Sequence, residues 1–451
     1  MASKKLDKYK DYFKGKTYNI TTFGCQMNEH DSERISFILE DLGYTYEEDR
    51  KKADFILFNT CLVRENAELK LYGQVSSLKK IKEENPEKII AVSGCMMQTE
   101  VARQVIIDKH KEVDIIFGTK NINSLADLIF RYLETNERVV DISTDDVKDD
   151  FVKYNTPNDF QAYVNIMTGC DNFCSYCIVP ESRGREDSRR PSSIIQEVEY
   201  LVNEGYKEIT LLGQNVNSYG NKADFKHTFP ELLEKVAQIP NLKRLRFTTS
   251  HPKDLSDELI QVIKRNDNIC KYFHLPLQSG SDKVLKDMNR KYTQEKYLER
   301  ARKLKEEIPE IAISTDIIVG YPTETEEDFL ETLKVCQEVG YDTAFTFKYS
   351  PRPKTRAAKL TPIEDGIVQD RFDRLLDVLY PIFYEKNKAY IGKTVEVLLE
   401  SESKNNPEVL TGRTDDYKLV HVKADKSLIG EIVSVKITDN TSFTISGDLV
   451  E

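Results

Sequence analysis

The chain has 451 residues, 65 Lys and Arg against 76 Asp and Glu, a net charge of −11, and 31% charged against 39% hydrophobic residues. That length holds about two to four domains. No stretch approaches the ~20 apolar residues of a membrane helix, and an acidic chain can hold a polyanion only through local basic patches. A cytoplasmic location is therefore expected.

The lysine-rich leader, residues 1–16, has no apolar centre, so it is read as a frayed tail and not a secretory signal. Without such a signal, eight cysteines do not imply a disulfide framework; at motif spacing they point to metal or redox chemistry.

Four strand-like runs follow: YNITTFGC, DFILFNTC, IIAVSGC and DIIFGT. The helical pattern DSERISFILEDLG lies between the first two, with Asp31 or Ser32 as the expected cap and Gly43 as the stop. SLADLIFRYLE is a second helix. Strands alternating with helices predict a doubly wound parallel sheet over 17–136, in which the loops after the strand C-termini share one ligand-binding edge. Cys25, Cys61 and Cys95 each end a strand-like run at that edge. They are read as a second iron–sulfur site, with ordinary core cysteines as the alternative. An acidic linker, 137–158, follows with a strand at its start.

From residue 159 to 386 a second alternating series begins at AYVNIMTGC and continues through EITLLGQN, RLRFTTSHP, YFHLPLQSG, ISTDIIVGYP and DTAFTFKYSP. Six strand–helix units are too few for an eight-unit barrel, so a partial (β/α)6 barrel is predicted. Short β-rich runs from 387 to 451 predict a small antiparallel barrel of about five strands.

The tight motif of the chain is C-x-x-x-C-x-x-C: Cys170, Cys174 and Cys177. Three thiolates leave one iron of a 4Fe–4S cluster without a protein ligand. Zinc is the rival, but no histidine or second cysteine pair lies near. The open iron is where the amino and carboxylate groups of S-adenosylmethionine would bind, for reductive cleavage to a 5′-deoxyadenosyl radical. Tyr176 sits between the last two cysteines and is a candidate for packing beside cluster or adenine. Further cofactor-binding candidates are the strand-end residues Gly213, Gln214 and Asn215, then Gln278 and Ser279, then Asp316 as a ribose ligand, with Gly320 and Pro322 shaping the next loop. Basic runs supply substrate-contact candidates for a polyanion: Arg183 and Arg185 in SRGREDSRR, and Arg352, Lys354 and Arg356 in KYSPRPKTRAAKL, although either run alone reads more simply as a solvated loop. Cys270, Cys336, His251 and His274 receive no role.

TFGCQMNEHDSE, NTCLVRENAELKLYG and GCDNFCSYCIVPESRGREDSRRP resemble the methylthiotransferase branch of the radical S-adenosylmethionine enzymes, MiaB type, over nearly the whole chain. The ribosomal-protein-modifying branch shows Pro-Lys where Gln26 and Met27 stand here. The resemblance implies methylthiolation of C2 of an isopentenylated adenosine beside the tRNA anticodon, in two S-adenosylmethionine-dependent steps served by two 4Fe–4S clusters, the auxiliary one held by Cys25, Cys61 and Cys95. It also implies a TRAM-like tRNA-binding module at the C-terminus, an electron donor such as flavodoxin or ferredoxin, and a sulfur source or iron–sulfur carrier. Glu181, Lys354, Arg356 and Met97 depart from the family's usual residues. A ribosomal-protein or differently modified tRNA target, and a non-catalytic RNA-binding iron–sulfur protein, remain the alternatives at this stage.

Overall fold

The structure is a computed structural model that describes residues 9, 11–62, 65–142, 154, 159–221, 226–404 and 406–450. It divides into two units, one of residues 1–157, 163–171 and 177–197, the other of residues 158–162, 172–176 and 198–451.

The first unit is built on a six-stranded sheet: β1 (Thr17–Thr22), β2 (Thr45–Tyr46), β3 (Phe55–Thr60), β4 (Ile89–Gly94), β5 (Ile115–Phe117) and β6 (Val139–Asp141). The order is β2-β1-β3-β4-β5-β6, with every pair parallel. FILFNT and IIAVSG are continuous runs because both faces of β3 and β4 are buried. Alternate residues feed two cores, Phe55 and Leu57 on one side with Ile35, Leu39 and Ile129, Ile56 and Phe58 on the other with Leu71, Val75 and Ile106. The strand order reverses between β1 and β3. Ligands of such sheets bind outside the carboxyl ends of the strands at that switch point, and Cys25 and Cys61 stand there.

Two expectations change here. The helix after β1 runs Gln26–Asp41, starting at Cys25 and not at Asp31. Asp31 and Ser32 are buried inside it, the Ser32 hydroxyl bonded to Thr22 and Asn59, so they anchor the helix to the sheet and do not cap it. The leader is not wholly frayed either. Phe13 is fully buried against Tyr44 and Phe130, and Tyr9 stacks on Phe130 at 5.6 Å. Burying one such ring stabilises a fold by about 1.5–3 kcal/mol. The strand expected at the head of the 137–158 linker is β6; residues 1–8 and 10 of the leader, and 143–153 and 155–158 of the linker, lie outside the described residues.

Strand β7 (Gln161–Asn165) crosses the boundary between the units. In the first unit, β8 (Met167–Thr168) pairs with β9 (Asp187–Ser188). In the second, β10 (Glu208–Leu212) pairs in parallel with β11 (Arg244–Thr248), and β12 (Tyr272–His274), β13 (Ala312–Val319) and β14 (Thr343–Lys348) form a parallel set. The bridge Leu245–Ile269 leads from β11 towards β12. These strands with β7 are the six predicted. Five intervening helices start on a hydroxyl cap, Thr228, Ser256, Ser281, Thr293 and Thr325, each worth ~1 kcal/mol.

The C-terminal module is a closed barrel of β15 (Thr394–Ser403), β16 (Asn406–Arg413), β17 (Leu419–Lys423), β18 (Ile432–Asn440) and β19 (Thr444–Leu449). Its pairs are antiparallel except β17–β19, whose parallel pairing completes the closure. The preceding helix, Asp365–Lys388, runs through the expected boundary at 386. This module seals the N-terminal ends of the parallel strands. Arg244 donates to the carbonyls of Arg413 and Glu396, Arg246 to those of Thr414 and Asp415, buried Lys418 pairs with Asp342 at 2.9 Å, and Tyr417 packs on Tyr272. The ligand end of the strands is the opposite one. Among the described residues no helix is long and apolar enough to cross a membrane.

Candidate active site

Cys25, Cys61 and Cys95 directly follow β1, β3 and β4, three adjacent strands. Cys25 is exposed; Cys61 and Cys95 are buried. A polar network fixes the three loops. Asn28 Nδ2 donates to Asn59 Oδ1 and to the Thr60 carbonyl, Asn59 Nδ2 to the Asn28 carbonyl, and Thr60 Oγ1 to the Ser93 carbonyl at 2.5 Å. Two glycines permit the close approach. Gly94, at φ 103°, would place a Cβ 2.3 Å from the Thr60 carbonyl oxygen, and one on Gly24 would lie 3.0 Å from Cys61 Cβ. Arg183 Nε donates to Cys95 Sγ at 3.2 Å, and its Nη2 to Asp31 at 2.7 Å. Burial pushes the Cys95 thiol up to about 11, against the opposing pull of Arg183.

In the second unit the segment carrying Cys174 and Tyr176 is clamped from several sides. Ser175 N donates to the Met288 carbonyl, Ser175 Oγ bonds Tyr321 Oη at 2.8 Å, and Ala357 N donates to the Ser175 carbonyl. Tyr176 packs among Val284, Met288, Tyr321 and Ala357. Arg290, buried, donates Nη1 to Cys174 Sγ at 3.4 Å, Nη2 to the Pro276 carbonyl and Nε to Tyr292 Oη. Cys170 belongs to the first unit, its N–H donating to the Gly184 carbonyl, and Cys177 belongs to that unit too.

Of the cofactor-binding candidates, Gly213, Gln214 and Asn215 lie at the end of β10. Asn215 Nδ2 donates to Asp254 at 2.7 Å. Gln278 is buried at φ 68° and bridges to β13 through its backbone. Ser279 is fully buried with its hydroxyl 3.5 Å from Thr332. Asp316 faces His274 Nε2 at 3.4 Å. Gly320 lies against Val368, where a Cβ would clash at 2.7 Å, and its N–H donates to Glu324; Pro322 is half-buried.

The tRNA-contact candidates divide. Lys354 and Arg356 are exposed, and Arg352 is half-buried. Arg185 is exposed but bound to Asp171 by two hydrogen bonds of 2.7 and 3.1 Å. Arg183 is buried, with its guanidinium on Asp31 and Cys95.

Sequence reasoning named Asn215 but gave Ser250 and His251 no role, and it passed over one sheet face. Asn215 Oδ1, Ser250 Oγ and His251 Nε2 are buried polar atoms at the β10 and β11 ends with no protein partner among the described residues. His251 meets Tyr292 edge-on at 5.5 Å, and burial, with Arg290 and Lys253 beside it, lowers it to about 2, so it is neutral. Register places His274, Ser314, Asp316, Phe345 and Phe347 on one sheet face, with Phe345 and Phe347 49% and 41% exposed, while Phe273, Ile313 and Ile317 on the opposite face are buried. A TSHP tetrapeptide after β11 and alternating phenylalanines in DTAFTFKYSP were the available signals.

Three known families match parts of the chain: the Radical SAM superfamily over residues 164–336, Uncharacterized protein family UPF0004 over 17–118, and the TRAM domain over 388–450. The tRNA-2-methylthio-N(6)-dimethylallyladenosine synthase of Finegoldia magna is 57% identical over 96% of this chain and 95% of that protein. That of Clostridium perfringens is 49% identical over 97% of this chain and 98% of that protein. The chain belongs to this synthase family.

Among solved structures, the radical S-adenosylmethionine methyltransferase TsrM from Kitasatospora setae, with tryptophan substrate and a SAM analogue bound, matches with a TM-score of 0.56. The match covers 76% of this chain and 75% of that one at 14% identity, and it shows the fold. The tRNA-2-methylthio-N(6)-dimethylallyladenosine synthase family gives the departures from its usual residues a physical reading. Lys354 sits at φ 68° in the left-handed region that glycine adopts freely. Glu181 and Arg356 are exposed and Met97 is fully buried.

The donor sets fit iron–sulfur clusters. Among the described residues no three Cys, His, Asp or Glu side chains converge on a single ion. A cluster of several irons and sulfides holds its thiolates farther apart than one ion does, so three thiols on neighbouring strand ends suit it. The partnerless atoms of Asn215, Ser250 and His251, the last with Arg290 beside it, suit the polar groups of S-adenosylmethionine.

Proposed function

We propose that this chain is a radical S-adenosylmethionine methylthiotransferase that places a methylthio group on C2 of an isopentenylated adenosine in tRNA. The observation that carries the reading is the dispersed thiol set at the ligand end of a parallel sheet, beside a C-x-x-x-C-x-x-C motif, in a chain of this synthase family. Cys170, Cys174 and Cys177 would hold the radical-generating 4Fe–4S cluster, and Cys25, Cys61 and Cys95 the auxiliary one. When bound, the first cluster supplies the electron that breaks a carbon–sulfur bond of S-adenosylmethionine. Such homolysis suits C2–H of adenine, which is too weakly acidic for general-base removal.

The chain's own groups hold the site. Arg290, itself buried, fixes the Cys174 sulfur through a hydrogen bond. Neutral His251 and Asn215 offer hydrogen-bonding atoms to the cofactor. Gly213 and Gln214, Gln278, Asp316, and the loop of Gly320 and Pro322 border the same strand ends, and Tyr176 braces the cysteine loop. Lys354 and Arg356, with Arg352 beside them, supply exposed or half-exposed cations for phosphate. We assign residues 17–141 to the auxiliary-cluster domain, 159–388 to the radical core and 389–451 to the tRNA-binding barrel. A flavodoxin or ferredoxin would serve as reductant and an iron–sulfur carrier as sulfur source, all in the cytoplasm.

Nucleosides of tRNA from a strain lacking this chain, measured by mass spectrometry, should carry isopentenyladenosine without the methylthio group, restored by re-expression. Unchanged methylthio-isopentenyladenosine would refute the assignment.

A further inference from the structure

Arg183 lies six residues after Cys177, on a segment of the first unit whose next residue, Gly184, accepts the Cys170 N–H. The same segment therefore carries a cysteine of one set and reaches the other set. Arg183 is 7% exposed and Asp31 3%. Burying a guanidinium is costly unless strong acceptors meet its donors. One acceptor here is the Asp31 carboxylate at 2.7 Å; the other is Cys95 Sγ at 3.2 Å. A thiol sulfur is a weak hydrogen-bond acceptor, so packing alone does not account for a buried guanidinium aimed at Cys95 Sγ. Asp31 sits early in the helix that Cys25 begins, so the ion pair also joins the loops of Cys25 and Cys95.

We propose that Arg183 is the positioning residue of the dispersed thiol set: it orients the Cys95 sulfur and sets the reduction potential of the cluster bound there, with Asp31 as its counterweight. This rests on the reading that Cys25, Cys61 and Cys95 hold a cluster. Hydrogen bonds to cluster sulfurs and nearby charge tune such potentials. Reduction adds negative charge, so a cation at Cys95 stabilises the reduced form and raises the potential. The Asp31 carboxylate opposes that effect. The two residues of one ion pair thus act with opposite signs, which a purely structural pair would not do.

The test uses the full chain carrying Cys170→Ala, Cys174→Ala and Cys177→Ala, reconstituted anaerobically with iron and sulfide, so that the remaining cluster is seen alone. Its midpoint potential is read by EPR-monitored reductive titration, alongside iron content. Added Arg183→Gln should shift the potential to more negative values, Arg183→Lys less so, and Asp31→Asn to more positive values. Unshifted potentials, or shifts of one sign in Arg183→Gln and Asp31→Asn, would overturn the proposal, as would loss of iron in both. If Arg183→Gln alone loses iron, the sign of the Asp31→Asn shift decides. A parent that takes up no iron with Arg183 intact would sink the two-cluster reading instead.

Discussion

Cys170, Cys174 and Cys177 lie within eight residues of one loop, whereas Cys25, Cys61 and Cys95 are spread over three loops and share an edge only because β1, β3 and β4 are neighbours. Both sets place a buried arginine on one sulfur, Arg290 on Cys174 and Arg183 on Cys95. They differ in what holds the sulfurs in place. Covalent spacing brings the first set together, and side contacts from Met288, Tyr321 and Ala357 brace its centre. The second depends on strand register, on the Asn28–Asn59–Thr60 network and on glycines at the loop crossings. A short motif can be carried by a loop; a dispersed one needs the sheet.

The sharpest contrast is chemical. Cys174→Ala should reduce 5′-deoxyadenosine formation below detection, while Cys61→Ala keeps it and stops methylthio transfer. Iron in the Cys61→Ala chain should fall from about eight to about four per polypeptide. Full methylthiolation by Cys61→Ala would erase the distinction between the sets.

Next in size is the effect of a single methyl group. Gly94→Ala places its Cβ 2.3 Å from the Thr60 carbonyl oxygen at φ 103° and should cost roughly 1–3 kcal/mol in urea unfolding. It should also lower the iron held by the dispersed set. Gly169→Ala, which would press a Cβ to 2.1 Å from the Arg185 carbonyl oxygen beside Cys170, should lower S-adenosylmethionine cleavage instead. Equal losses at both clusters in each variant would show that the sites are not separately supported.

The smallest effect concerns pH. Burial, with Arg290 and Lys253 nearby, lowers His251 to about 2, against ~6.5 in an unfolded chain. Between those values the unfolded chain binds the extra proton, so the contribution of His251 is complete above about pH 6.5 and is lost progressively as pH falls. Urea midpoints compared at about pH 7 and about pH 5 should therefore fall less in His251→Asn than in the parent. An identical fall in both would show that His251 is not held neutral.

The alternation of strands and helices was legible because burial on both faces writes continuous apolar runs such as FILFNT and IIAVSG. The tight cysteine motif was legible because its ligands are neighbours in the chain. Other features were not. Asp31 and Ser32 read as caps because a polar residue before an apolar stripe usually caps a helix, yet both are buried anchors. Arg183 read as a phosphate contact because basic runs are usually solvated, and nothing local announces a partner 152 positions away.

The sequence alone determined the three-part architecture and singled out the C-x-x-x-C-x-x-C motif, because periodicity and short motif spacing are local properties of the chain. Tertiary structure decided which strand ends adjoin, which arginine faces a sulfur, and that the C-terminal barrel seals the strand ends opposite the ligand edge. Those outcomes depend on long-range register and on pairing buried charge, which only the packed chain can satisfy.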